Sequence, residues 1–93
     1  LLLVLAAPAS APPDGPYFIT TGSFREKAAA QAHARDRGGW VLRTDLYRGL
    51  TPGYFAVVRG PFDRRGDAEA ALVRLRAQHP DAFVRAAGRP VLP

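Results

Sequence analysis

The chain carries one local pattern twice. Tyr17-Phe18-Ile19-Thr20-Thr21 is a run of aromatic and β-branched residues that breaks at Gly22-Ser23-Phe24 and enters a charged, alanine-rich stretch. Tyr54-Phe55-Ala56-Val57-Val58-Arg59 breaks at Gly60-Pro61-Phe62 and does the same, and the two Gly-x-Phe breaks stand 38 residues apart. Aromatic and β-branched residues suit a pleated strand, and alanine suits a helix. Two such patterns at a fixed offset mean two copies of one supersecondary unit. Each unit reads as strand, glycine turn, helix and returning strand. Two units in series give β-α-β-β-α-β, an α+β fold of the split βαβ, ferredoxin- or RNP-like kind. Its four-stranded antiparallel sheet carries both helices on one face. The other face is left open, and function is expected there.

Composition narrows the chemistry. The repeat runs from Pro16 to Ala87, near the lower size limit for a core that folds without staples. The 93 residues include no Cys, which removes disulfides and thiolate metal sites. Only His33 and His79 could supply imidazole, so neither a metal nor a cofactor is expected. The net charge is +5, almost entirely from Arg, with Lys27 the single lysine. Arg presents a rigid fork suited to carboxylate or phosphate; the same Arg- and Ala-rich composition is also what GC-rich coding produces.

Residues 1–11 are a different kind of sequence. Leu1 to Ala7 is an apolar run, and Ala9-Ser10-Ala11 fits the small-x-small rule for signal cleavage. They read as a truncated signal peptide or the remnant of a membrane anchor; Pro8 and the prolines after it argue against a buried strand. Residues 12–16 then form a linker, 17–87 the domain and 88–93 a tail. Signal and anchor alike place the folded part outside the cytoplasm, in the periplasm or cell envelope, with membrane contact only for an uncleaved anchor.

Strands are expected at Tyr17–Thr21, Trp40–Leu46, Tyr54–Arg59 and Ala82–Ala87. Ser23-Phe24-Arg25-Glu26 reads as a capping box opening a helix to Arg37, closed by Gly38-Gly39. That helix offers an almost pure alanine inner face, with Ala28, Ala29 and Ala32. Asp63 is placed to cap a second helix running to His79, with a core stripe of Ala68, Leu72 and Leu75. His33 reads as a solvated helix residue and His79 as a helix-terminal cation. The period of two turns Tyr17, Ile19, Leu42, Phe55, Val57 and Val84 toward the helices. It turns Phe18, Thr20, Arg43, Tyr54, Ala56, Val58, Phe83 and Arg85 onto the open face. So apolar a face, mixed with Arg, reads as a binding platform unless a C-terminal element covers it.

Gly22-Ser23-Phe24 after a strand, the run Phe55 to Phe62, and Ala68 eight residues after Gly60 resemble the SPOR (sporulation-related repeat) domain. The resemblance covers Tyr17 to Ala87. It implies a bacterial cell-envelope module without catalytic residues that binds septal peptidoglycan glycan strands lacking stem peptides. Other envelope proteins are further candidate partners. The family often has Gln two residues before the first Gly; Thr20 stands there, with a shorter hydroxyl in place of an amide. The resemblance carries over Ser23, and Phe83 as the aromatic of the last strand. Phe18 and Tyr54 join as outward aromatics, and Arg43 and Arg85 join on charge and facing. Sugar rings lie against aromatic faces, and the lactyl carboxylate of a bare glycan suits an Arg fork.

Three other classes compete. An RNA-recognition module shares the architecture, but the RNP1 pattern is missing from the third strand and no nucleic acid is expected. An enzyme would need a nucleophile with a base or paired acids, and none is in view. A protein-interaction or inhibitor-like module could use the same open face; a groove there would favour glycan and a flat apolar patch a protein.

Overall fold

The first strand is longer than its apolar run. The computed structural model describes residues 15–88, and β1 occupies Gly15–Phe24. It is followed by α1 (Lys27–Arg37), β2 (Trp40–Arg43), a 3-10 turn (Thr44–Leu46), β3 (Phe55–Phe62), α2 (Arg65–Leu75) and β4 (Phe83–Gly88). The sheet order is β2-β3-β1-β4 with every pairing antiparallel. This is the expected α+β split βαβ arrangement. The expected leader and the linker up to residue 14 lie outside the described residues, as does the tail beyond Gly88. Among the described residues no helix is long and apolar enough to cross a membrane.

Two bulges set the phase of the central pair. Between Tyr17 and Ile19 of β1, β3 advances three residues, from Phe62 to Arg59. Between Thr20 and Gly22 the extra residue, Thr21, is on β1, and its Oγ1 donates to the Val57 carbonyl at 3.3 Å. An unpaired extra residue shifts every later side chain to the other face. Thr20 (opposite Val58) and Ser23 (opposite Ala56) therefore share a face although they are three residues apart. Phe24 goes to the helix side, its ring 5.2 Å from that of His33.

The helix side is built from Ile19, Ala68, Leu72 and Ala82, flanked by Tyr17, Phe62, Ala71, Leu75 and Val84. The α2 stripe of Ala68, Leu72 and Leu75 packs as its spacing implies. The α1 face does not: Ala28, Ala29 and Ala32 are exposed, and Ala30 is the buried alanine. A helix of alanines has little periodic contrast, so its rotation is set by its entry from β1. Neither cap forms. The residue preceding α1 is Glu26 and that preceding α2 is Arg64, both without side-chain caps, and Ser23 remains in β1. Gly38 leaves α1 at a φ of +87° and donates its N–H to Ala34 O at 2.8 Å.

The face without helices is not bare. The β2–β3 connection folds across it, and Phe18, Leu42, Tyr47, Ala56, Val58 and Ala87 form a second core with Trp40, Leu46 and Leu50 around it. Phe18 is 1% exposed, between the edges of Trp40 and Tyr47, each 5.7 Å away between ring centroids. The connection is a strap tied at several points. Thr44 Oγ1 donates to Tyr54 O (3.1 Å) and accepts the Tyr54 N–H (3.0 Å). Asp45 accepts the Gly53 N–H at 2.6 Å, and Gly49 N–H donates to Ala87 O at 3.1 Å. A Cβ at Gly49 would strike the Ala86 and Ala87 carbonyls, which are backbone and cannot turn aside. Gly49→Ala is therefore expected to cost about 2 kcal/mol in urea unfolding. An unchanged midpoint would show that the strap is not seated on β4.

The strap reverses the reading of β2. Leu42 pairs with Ala56 and Arg43 with Phe55, so Leu42 belongs to the strap side and Arg43 to the helix side. Alternation distinguishes two faces of a strand without saying which layer each meets, and here the buried Leu42 meets the strap while Arg43 on the other face stays exposed. The strand also stops at Arg43, where the 3-10 turn begins.

Candidate functional site

The strap covers one end of the sheet face and leaves the other end as a cleft. This cleft, of about 370 Å³, is lined by Thr20, Ser23, Thr44, Leu50, Thr51, Tyr54, Ala56, Phe83 and Arg85. The bulge at Thr21 brings Thr20 and Ser23 together on its floor. Phe83 pairs with Thr20 across the β1–β4 ladder and, at 41% exposure, leaves much of its ring to solvent. Thr44, Thr51 and Leu50 come from the strap and form the opposite wall.

Five of the seven sequence-derived site residues meet here: Thr20, Ser23, Tyr54, Phe83 and Arg85. Two do not. Phe18 lies on the expected face but is sealed beneath Tyr47 and Trp40, where it anchors the strap and has no surface for a ligand. Arg43 is on the opposite face, its Nη2 3.4 Å from Asp45 Oδ2. Leu50 and Thr51 were missed because they lie in the connection, where no period of two applies. A signal was present: a connection containing Leu46, Tyr47 and Leu50 is too apolar to stand in solvent, so it must pack on something.

The chemistry of the cleft is selective. Hydroxyls of Thr20, Ser23, Thr51 and Tyr54 line it, although Thr20 is only 6% exposed and offers little more than its tip. Thr44 Oγ1 is already engaged by the Tyr54 backbone. Arg25 lies over the Tyr54 ring, 5.0 Å from its centroid, and Nη2 donates to the Tyr54 hydroxyl at 3.3 Å. That contact extends the tyrosine wall at the exposed end. Arg85 is the single charged residue of the lining, and no Asp or Glu is present there. Among the described residues no ion pair occupies Arg85. The cleft therefore presents an apolar platform, several hydroxyls and one unneutralised fork. Such a combination fits a sugar that carries a carboxylate. A larger depression of about 590 Å³ lies against α1, lined by Ala32, His33, Arg35, Asp36 and Arg37. Its lining comes from one helix alone, with no aromatic platform.

The two histidines depart from expectation. His33 is half-buried rather than solvated, and His79 is enclosed at 5% exposure, beyond the end of α2 at Leu75. Their rings lie 6.1 Å apart. Among the described residues no group of three or more His, Asp or Glu side chains could hold a metal ion.

A family model described as SPOR domain matches residues 13–86, most of the chain. The chain belongs to the SPOR domain family. The family is one of peptidoglycan-binding modules found in cell-envelope proteins. No curated protein and no solved structure matches this SPOR domain. Its cleft lies on the sheet face opposite the helices, where the resemblance in the sequence placed a binding site.

Proposed function

We propose that this SPOR domain binds peptidoglycan glycan strands whose stem peptides have been removed, without catalysis, through the cleft between β1, β4 and the strap. The observation that carries the reading is the meeting of a half-exposed Phe83 with Arg85 and several hydroxyls in one groove free of acids. A groove of this kind favours glycan over a flat protein partner. Phe83 offers its ring to a sugar face, and Arg85 takes the lactyl carboxylate that loss of the stem peptide exposes. Thr20 in the family's usual Gln position leaves more of the polar recognition to Ser23, Thr51 and Arg85. The domain would then act in the envelope after export, concentrating at septa where bare strands occur.

The test is pulldown on purified sacculi before and after amidase treatment. Binding should rise after treatment. Phe83→Ala should weaken it about fivefold, the equivalent of about 1 kcal/mol for removal of a ring platform. Equal binding to treated and untreated sacculi would overturn the bare-strand reading. No binding to either would overturn the glycan reading altogether and favour a protein partner.

A further inference from the structure

The helix side of the sheet holds a pair that the cleft does not use. His33 of α1 and His79, beyond α2, face one another across the helix layer, and the Phe24 ring flanks His33. The Nε2 atom of each is enclosed and meets no hydrogen-bond partner in the protein. The charges acting on His79 come from Arg59 of β3 and from Arg37 and His33 of α1. Asp36 of α1 lies 3.9 Å from Arg37, but its carboxylate is mostly exposed and well screened. Its own segment hydrogen-bonds His79 through the backbone: its N–H donates to Leu75 O at 2.8 Å and its carbonyl accepts the Ala82 N–H at 3.0 Å. A neutral ring leaves a single polar nitrogen unpaired in such a place. A charged one would be stripped of water and would face two guanidiniums. Burial first, then Arg59, Arg37 and His33, holds His79 below its ordinary 6.5.

The pair also touches the strand that carries the cleft. Gly22 lies between Thr20 and Ser23, next to the bulge. A Cβ at Gly22 would come within 3.3 Å of His33 Nε2 and 3.0 Å of the Phe24 ring. His33 thus rests on the backbone whose other face forms the cleft floor.

We propose that His33 and His79 form an acid-sensitive latch between the helix layer and β1, in which a proton on His79 loosens the helices and weakens binding in the cleft behind it. The latch stands independently of the ligand; its effect on binding rests on the glycan reading. The sign follows from linkage. The unfolded chain takes up a proton on His79 near 6.5, before the folded chain does. The latch therefore contributes fully above that value and loses its contribution as pH falls below it.

Thermal unfolding of the full chain at about pH 7.5 and about pH 5 tests this, with His79→Gln, which cannot charge, as the comparison. The wild-type melting temperature should fall by about 5 °C. The variant should show a clearly smaller fall, whatever its starting stability. Equal falls would overturn the latch. So would an imidazole NMR titration of wild-type His79 with its midpoint at or above 6.5, a readout that does not need the variant to fold. Binding to amidase-treated sacculi should weaken with acid severalfold more in wild type than in the variant. If melting behaves as expected and neither protein binds sacculi at either pH, the latch stands and the glycan reading fails.

Discussion

Phe18→Ala is expected to remove about 3–5 kcal/mol of folding stability, the usual cost of deleting a buried aromatic. Small domains have total stabilities of about 5–15 kcal/mol, so this one substitution would leave a large part of the chain unfolded at moderate temperature. The reason is position. Phe18 touches both Trp40 and Tyr47, and with them it fastens the strap to β1. Without it the second core opens and the wall made by Leu50 and Thr51 loses its seat. Phe18→Leu keeps most of the volume and should cost less than about 1.5 kcal/mol. Because Phe18 has almost no exposed surface, Phe18→Leu should still bind amidase-treated sacculi. Urea unfolding of the three proteins decides the matter. A loss below about 1 kcal/mol for the alanine variant would mean that the strap is held by its hydrogen bonds alone.

Arg85→Glu should lower affinity for amidase-treated sacculi about 30-fold, equivalent to about 2 kcal/mol for removing a charge-assisted hydrogen bond and introducing a repulsion. Folding should survive, because among the described residues no ion pair depends on Arg85. Arg85→Lys keeps the charge and loses the fork, so its binding should fall between wild type and Arg85→Ala. Capping the sacculus carboxylates with an amine should reduce wild-type binding to the level of Arg85→Ala. If capping changes nothing while Arg85→Glu still weakens binding, the fork serves another group on the ligand. Moderate salt should weaken wild type more than Arg85→Ala, since one attraction in the cleft is charge to charge.

The repeat was enough to obtain the order of elements, because strand and helix periods are local and the Gly-x-Phe breaks occur twice. Ile19, Val57, Val84, Ala68 and Leu72 could be placed on the helix side from spacing alone. Phe83 and Arg85, neighbours but one on an uninterrupted β4, reached the cleft by simple alternation. Leu42 and Arg43 were reversed because the strap lays an apolar layer on the face without helices, and a period of two carries no label for the covering layer. The capping roles of Ser23 and Asp63 failed because both helices start further along than those caps require. His33 and His79 are far apart in sequence, and nothing local indicates that their rings meet.

Sequence alone therefore determined the architecture and most of the side chains that reach the open face, since both depend on short-range periodicity, while the family rests on the motifs around Gly22 and Gly60. Tertiary structure decided the rest. The extra residue at Thr21 placed Ser23 beside Thr20 instead of behind the sheet. The apolar strap turned Phe18 from a surface aromatic into a core ring and narrowed an open face to a cleft. Both outcomes arise from contacts between segments distant in the chain, where burial of Tyr47 and Leu50 outweighs the cost of ordering the connection.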